Sequence, residues 1–338
     1  MSAFRWDPAD DPEAWDDYVS AAPGACAFHS RIWKQALSAA FPQYRASDAY
    51  LRRGDERVGA WSGCVFAPAP FVSFAESSPW HLYGGPLGVA REGLVDAVAC
   101  WESRSRRGHA CALSLTLPPD DFAASRDVVA ELGFALTGPK FTHVLDLPGD
   151  EDALWVDYKG SVRTDVRKAR AAGVTVREAR DDPEIGAFYA IYRATMDRFG
   201  SVSKPRGMVS DLARSPIATL FLAERAGIPV AGLLLLVFGK VATVWMAAGE
   251  PSERRHAPNH LLYHTALTWA MERGYQRADF GASPPENAGL VKFKESFGAT
   301  RADFGTMTKT IAPLRSALWR ASEPTLRRVY RSLQGVRG

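Results

Sequence analysis

Hydrophobic and polar positions alternate along this chain in stretches of helical and strand-like period, and the clearest stretch runs from Asn259 to Gly298, NHLLYHTALTWAMERGYQRADFGASPPENAGLVKFKESFG. Leu261, Leu262, Leu267 and Trp269 punctuate a helix that Gly274 closes, where a C-terminal cap is expected. Gln276 to Gly281 is short and lies between glycines, which leaves a strand or a loop. After the Pro284-Pro285 break a second helix is predicted to end at Gly298, with Phe293 beside Lys294 near its middle.

The same pattern occurs earlier. Trp101, Gly108 and Gly133 bracket a helix, a strand and a helix, as Trp269, Gly274 and Gly298 do later. The offset is nearly constant, about 166 residues. Each copy then enters an alternating strand, FTHVLDL from Phe141 and TMTKTI from Thr306. Upstream, AYLRRGDERVGAWSGCVF from Ala49 matches LFLAERAGIPVAGLLLLVF from Leu220, and both read as hairpins around a tight glycine turn. Landmarks in one order at one period predict two copies of a single α/β unit.

Length and composition agree with that reading. The chain has 338 residues, enough for two domains, and 46% hydrophobic residues can fill two cores. Cys26, Cys64, Cys100 and Cys111 are scattered without a CxxC pair and sit in apolar contexts, as buried thiols in a reducing compartment do. The acidic start, MSAFRWDPADDPEAWDD, is the opposite of a secretory signal. The longest apolar run, Val230 to Phe238, suits a buried strand and is too short to cross a bilayer. A soluble cytoplasmic protein is expected, possible membrane association resting on the basic tail alone.

The net charge of +3 hides an uneven distribution, with six acids in residues 7–17 and six arginines against one glutamate in residues 313–338. In the segment KGSVRTDVRKARAAG, Arg163, Arg167 and Arg170 recur at i, i+4 and i+7 and share a helix face opposite Val162, Val166 and Ala169. Ser161 is the expected N-cap and Gly173 the expected stop. Such a stripe either grips phosphates through planar guanidinium forks or is a solvated face. The tail places Leu314, Leu318, Leu326, Tyr330 and Leu333 on a rough helical stripe broken at Pro324, either docked on the second domain or lying on an anionic surface.

Three strings carry a family resemblance: RTDVRKARAAGV from Arg163, GYQRADFG from Gly274 and FKESFG from Phe293. With the Tyr83-Gly84-Gly85-Pro86 turn, they resemble the Fem-type peptidyltransferases, a tandem-GNAT family, over residues 25–310. The resemblance implies an α/β (α+β) fold of two tandem GNAT-like domains, each a mixed, mostly antiparallel sheet flanked by helices, with a basic C-terminal helix. The boundaries expected are 1–148, 149–312 and a tail at 313–338. It implies transfer of an acyl group, often aminoacyl from charged tRNA, to an amine. Phe293 and Lys294 match the Phe-Lys pair that handles the tRNA acceptor end and the tetrahedral intermediate. Arg163, Arg167 and Lys168 fall where relatives hold acceptor phosphates, with Lys34 a weaker match and Tyr83, Gly84 and Gly85 the matching turn. Asp279, at the end of a strand, is either a base or a cap for the following turn.

The donor follows from an absence. GNAT enzymes that use acetyl-CoA cradle its pyrophosphate on a glycine-rich loop that opens a helix. Here Arg255-His256-Ala257-Pro258-Asn259-His260 has no glycine, and Pro258 has no N–H. Loss of this loop is what a tRNA-using Fem-type member would show, so the resemblance implies an aminoacyl-tRNA co-substrate with no bound cofactor. The acceptor it implies is a lipid- or nucleotide-linked cell-wall precursor, or a peptide or aminoglycoside-like natural product. An acyl-CoA or acyl-carrier N-acyltransferase acting on an amino sugar is the alternative, and a non-catalytic module for RNA or membrane surfaces a second. His256, His260 and His264 share a helix face but lack the HExxH pattern or a carboxylate that would complete a metal site, so no metal is expected. No DNA partner is expected. Specificity is assigned to cleft loops such as Gly200 to Met208, which carries no readable code.

Overall fold

The computed structural model describes residues 3–179, 181–319 and 321. The first half contains β1 (Arg5–Pro8), α1 (Pro12–Ser20), α2 (Arg31–Ala40), β2 (Tyr44–Ala46), β3 (Ala49–Arg53), β4 (Glu56–Ser62), β5 (Cys64–Ala69), β6 (Val72–Glu76), β7 (Gly85–Leu87), α3 (Leu94–Arg107), β8 (Ala112–Thr116), α4 (Pro119–Glu131) and β9 (Ala135–Asp146). The second half contains α5 (Glu151–Asp157), α6 (Gly160–Ala171), β10 (Val174–Glu178), α7 (Asp182–Arg198), α8 (Arg206–Ala213), β11 (Ala218–Arg225), β12 (Ile228–Phe238), β13 (Val241–Gly249), α9 (Pro258–Glu272), β14 (Arg277–Asp279), α10 (Ala288–Ser296) and β15 (Thr300–Thr310). The repeat is visible in this order. The hairpin β3–β4 answers to β11–β12, and the run α3, β8, α4, β9 answers to α9, β14, α10, β15.

The two halves are joined by exchange of their last strands. One sheet runs β10-β11-β12-β13-β14-β9-β15-β8-β6-β5-β2, and a smaller sheet runs β1-β3-β4-β7. Strand β9, at the end of the first half, pairs antiparallel with β14 of the second, Val144 opposite Asp279. Strand β15, at the end of the second half, pairs antiparallel with β8 of the first, Thr306 opposite Thr116. The exchanged strands also pair with each other from Thr300–Val144 to Thr308–Ala135. Lys309 fastens β15 to its host, donating to the Glu102 carboxylate on α3 at 2.7 Å and to the Leu132 carbonyl at 2.7 Å. Both strands begin earlier than alternation predicts, at Ala135 and Thr300, because main-chain pairing between them extends the ladder beyond the alternating stretch.

Burial follows the apolar pattern. Strand β12 is almost wholly buried, as its run of leucines requires, between α7 and α9. Helix α6 buries Val162, Val166 and Ala169 as read from spacing, but it starts at Gly160 behind Lys159, so Ser161 lies inside the helix and does not cap it. All four cysteines are buried thiols. Residues 313–319 are helical, with Leu314 and Leu318 exposed, while Leu326, Tyr330 and Leu333 lie outside the described residues. Among the described residues no helix is long and apolar enough to cross a membrane.

Candidate active site

Pairing between β13 and β14 is parallel and stops at Thr243 and Asp279. Beyond that point β13 runs on to Gly249, while the chain after β14 turns away at Gly281, whose φ is +73°. Asp279 shapes this turn, because its Oδ1 accepts the Gly281 N–H at 2.8 Å and the Thr142 hydroxyl at 2.5 Å. The parting strands open a cavity of about 380 Å³ at the carboxyl ends of the strands, the place where α/β sheets accept ligands. A bulge places Trp245 in its wall. Leu234 pairs with Met246 and Leu235 with Val244, leaving Trp245 as the extra residue.

Lys294 enters from α10, whose first turn is capped by the Asn287 side chain accepting the Leu290 N–H at 3.1 Å. It is only 3% exposed. Its ammonium donates to the Gly281 carbonyl at 2.5 Å and the Ala282 carbonyl at 3.4 Å, which occupies two of three donors. Burial lowers its pKa to about 8, against the opposing pull of the Asp279 charge. Asp279 is 4% exposed. Tyr83, buried in the cavity wall beside Asp279, has its phenol pKa raised by burial and by the Asp279 carboxylate.

Two more lysines face the cavity. Lys140 comes from the exchanged strand β9. Lys204 comes from the loop before α8, whose backbone is tied to α7: the Lys204 N–H donates to Tyr192 Oη at 3.0 Å, and Tyr189 donates to the Lys204 carbonyl at 2.9 Å. The Lys204 ammonium stands 3.3 Å from the centroid of the Trp80 ring, and burial lowers its pKa to about 8. Trp80 and His81 are consecutive left-handed residues, φ 57° and 61°, a conformation that costs bulky side chains energy. His81 Nδ1 lies 2.6 Å from Thr306 Oγ1, which lies 2.8 Å from Thr116 Oγ1.

Of the residues expected from sequence, Lys294, Asp279 and Tyr83 line this cavity, and the others stand elsewhere. Phe293, next to Lys294, turns into an aromatic cluster with His260, Tyr263 and Phe297 at ring separations of 5.0, 5.0 and 5.1 Å. Arg163 donates to the carbonyls of Trp155, Val156 and Tyr158 at 3.2, 3.1 and 2.6 Å, so it closes the end of α5. Arg167 lies over the Trp155 ring at 5.3 Å, and Lys168 is exposed on α6. Lys34 is 4% exposed and ion-paired with Asp48, with the Ser62 hydroxyl accepting at 2.7 Å. Gly84 admits close packing, since a Cβ there would meet the Ser77 carbonyl oxygen at 2.0 Å, and Gly85 opens β7 at φ +105°. Spacing therefore located the arginine stripe but not its partners, which are backbone carbonyls for Arg163, the Trp155 ring for Arg167 and, for Arg170, His264 Nε2 at 3.2 Å.

Lys204, Lys140, Trp80, His81 and Trp245 escape sequence reading because each reaches the cavity by a tertiary device: a tethered loop, an exchanged strand, a strained turn and a bulge. Only Lys204 had a signal, the loop Gly200 to Met208, recognisable as cleft-lining but without a code. The three histidines do not share a helix face, because His256 ends a 3-10 turn and left-handed Ala257 separates it from α9, which carries His260 and His264. His264 is buried against Tyr158 and its pKa falls to about 4, chiefly through burial, while His260 stacks on Phe297 at 6.1 Å. Among the described residues no group of three His, Cys, Asp or Glu side chains is placed to hold a metal.

Residues 157–294, ending on Lys294 itself, match the family model described as "Acetyltransferase (GNAT) domain". More than nine-tenths of the chain superimposes on solved structures. FemX matches at TM-score 0.75 and 15% identity, covering 93% of this chain and 98% of that one. A tandem GNAT protein from the clavulanic acid biosynthesis pathway matches at TM-score 0.56 and 17% identity, covering 91% and 98%. L-PGS from Bacillus licheniformis matches at TM-score 0.58 and 11% identity, covering 95% and 98%. No curated protein sequence matches the chain. Residues 157–294 thus match a GNAT domain, and the chain as a whole shares the fold of these solved structures.

Proposed function

We propose that the protein is a Fem-like aminoacyltransferase that moves an aminoacyl group from charged tRNA to an amine, forming an amide bond. The observation that carries this reading is the buried Lys294 ammonium at the opening between β13 and β14, with one donor left for a substrate oxygen. Attack of an amine on an ester carbonyl places negative charge on that oxygen. A cation held in a partly dry cavity lowers the barrier, typically by about 3–4 kcal/mol for one such donor. Asp279 supports the role by its charge, which favours the ammonium form, and by shaping the turn that presents the Gly281 and Ala282 carbonyls.

The donor assignment rests on the start of α9. The segment Pro251–His256 is wound into a 3-10 turn, Ala257 is left-handed at φ 53°, and α9 opens on Pro258, which has no N–H to offer a pyrophosphate. A tRNA acceptor end needs no such cradle. Lys140 and Lys204 supply positive charge for a phosphate or carboxylate on the acceptor, the role that sequence gave to Arg163, Arg167, Lys168 and Lys34. FemX and L-PGS share the fold that supports this class.

The test is a donor assay. Purified protein is incubated with an amine-rich cell extract and either a pool of labelled aminoacyl-tRNAs or labelled acetyl-CoA. Label passing from tRNA into a ribonuclease-resistant small product is expected. Label passing only from the thioester would replace this reading with an N-acyltransferase acting on an amine such as an amino sugar.

A further inference from the structure

The attacking amine must lose a proton, and Asp279 is poorly placed to take it: it is 4% exposed, and its Oδ1 already accepts two hydrogen bonds. A second group in the cavity wall has what a base requires. His81 lines the cavity from the first half and is solvent-accessible there. Its Nδ1 is held 2.6 Å from Thr306 Oγ1, and that hydroxyl is itself held 2.8 Å from Thr116 Oγ1. Thr306 and Thr116 are register partners on β15 and β8, so the hydroxyl pair sits where an exchanged strand meets its host. The left-handed backbone at both Trp80 and His81 is strain retained beside the opening.

We propose that His81 is the general base of the acyl transfer, with Thr306 and Thr116 as positioning residues that fix its tautomer. The assignment rests on the acyl-transfer reading above. Nδ1–H donates to Thr306 Oγ1, Thr306 donates to Thr116, and Nε2 is left with its lone pair. The amine nitrogen attacks the ester carbonyl carbon, and the carbonyl electrons move to oxygen beside Lys294. Nε2 takes the proton that the new N–C bond releases. The carbonyl then re-forms, the ester C–O bond breaks, and the departing ribose oxygen receives that proton from the imidazolium. Atoms and charge balance without another reactant. Burial and the Lys140 charge lower the pKa of His81, which keeps the ring neutral at physiological pH. The other titratable groups in the wall are Lys204, Lys294, Asp279, Tyr83 and Tyr263.

The tautomer can be read without substrate. Long-range nitrogen–proton NMR of 15N-histidine-labelled protein at pH 7.5, with His81 assigned by its absence in His81→Gln, should show a protonated Nδ1 and a bare Nε2. In Thr306→Val that preference should disappear. A protonated Nε2 with bare Nδ1, or an imidazolium at pH 7.5, overturns the proposal. With any donor–amine pair that turns over, His81→Gln should lower kcat by about 10²–10⁴-fold and abolish the acid limb of its pH profile, KM changing little. An unchanged kcat overturns it as well. If no donor transfers label at all, the acyl-transfer reading has failed, and the tautomer still reports whether His81 has a free base nitrogen.

Discussion

Thr142 donates its hydroxyl hydrogen bond, 2.5 Å long, to the carboxylate of Asp279, and the two residues belong to different halves of the chain. Thr142 is fully buried on β9, which leaves its own half to lie beside β14. The bond therefore ties the strand exchange to the turn that presents Gly281 to Lys294. Thr142→Val keeps the shape and removes the donor, leaving a buried carboxylate oxygen short of a partner. Stability should fall by about 1–3 kcal/mol, read by denaturant unfolding, and turnover should fall with it as the turn loosens.

The alkaline side of the activity profile follows from Lys294. With its pKa lowered to about 8, the ammonium predominates below that pH and is lost above it. Turnover that depends on the cation should therefore fall as pH rises through about 8, whereas a lysine at its ordinary value near 10.4 would hold the rate two units further. A kcat profile from pH 6 to 10 distinguishes the two.

Lys34 separates a structural lysine from a binding one. It lies in a buried pair with Asp48, which also accepts the Gly63 N–H at 3.1 Å. Lys34→Met removes one partner, while Arg31 stays 3.4 Å from the other carboxylate oxygen, so the cost should be about 1–3 kcal/mol. Thermal unfolding should show that loss. A variant of native stability with a raised acceptor KM would restore the phosphate-binding role instead.

Glu76 on β6 gives a pH-dependent stability of defined sign. Burial raises its pKa from 4.5 to about 7, so the folded protein binds a proton that the unfolded chain releases between those values. The penalty for the buried charge is absent below about pH 4.5, grows as pH rises through 7, and is constant above. Glu76→Gln should therefore stabilise at pH 8 by about 1–3 kcal/mol and change little at pH 4.5. Unfolding at the two pH values tests the difference.

The repeat, both hairpins, and the helix–strand–helix run to Gly298 were legible because each depends on local signals: period, glycine stops and proline breaks. The tandem-GNAT fold followed from the motifs. The exchange of β9 and β15 was not legible, because either strand satisfies its alternation equally well in its own half or the other. The site divided along the same line. Lys294 and Asp279 sit on elements whose position in the repeat was readable. Arg163 was placed on the right helix face, yet three carbonyls at the end of α5 claim its guanidinium. Lys34 shows the opposite failure, since nothing local announces that Asp48 and Ser62 close around it. Lys204 and His81 reach the cavity through a tether to two tyrosines and a strained turn, neither of which has a period.

The most direct test of the account is Lys294→Met in the labelled-donor assay, with circular dichroism and acceptor binding measured on the same preparation. The account predicts native spectra, retained acceptor binding, and a kcat about 10²–10³-fold lower, the loss expected for one oxyanion donor. A variant that folds, binds and turns over at the wild-type rate would contradict it and remove the cavity beside β14 as the place where the acyl group is transferred.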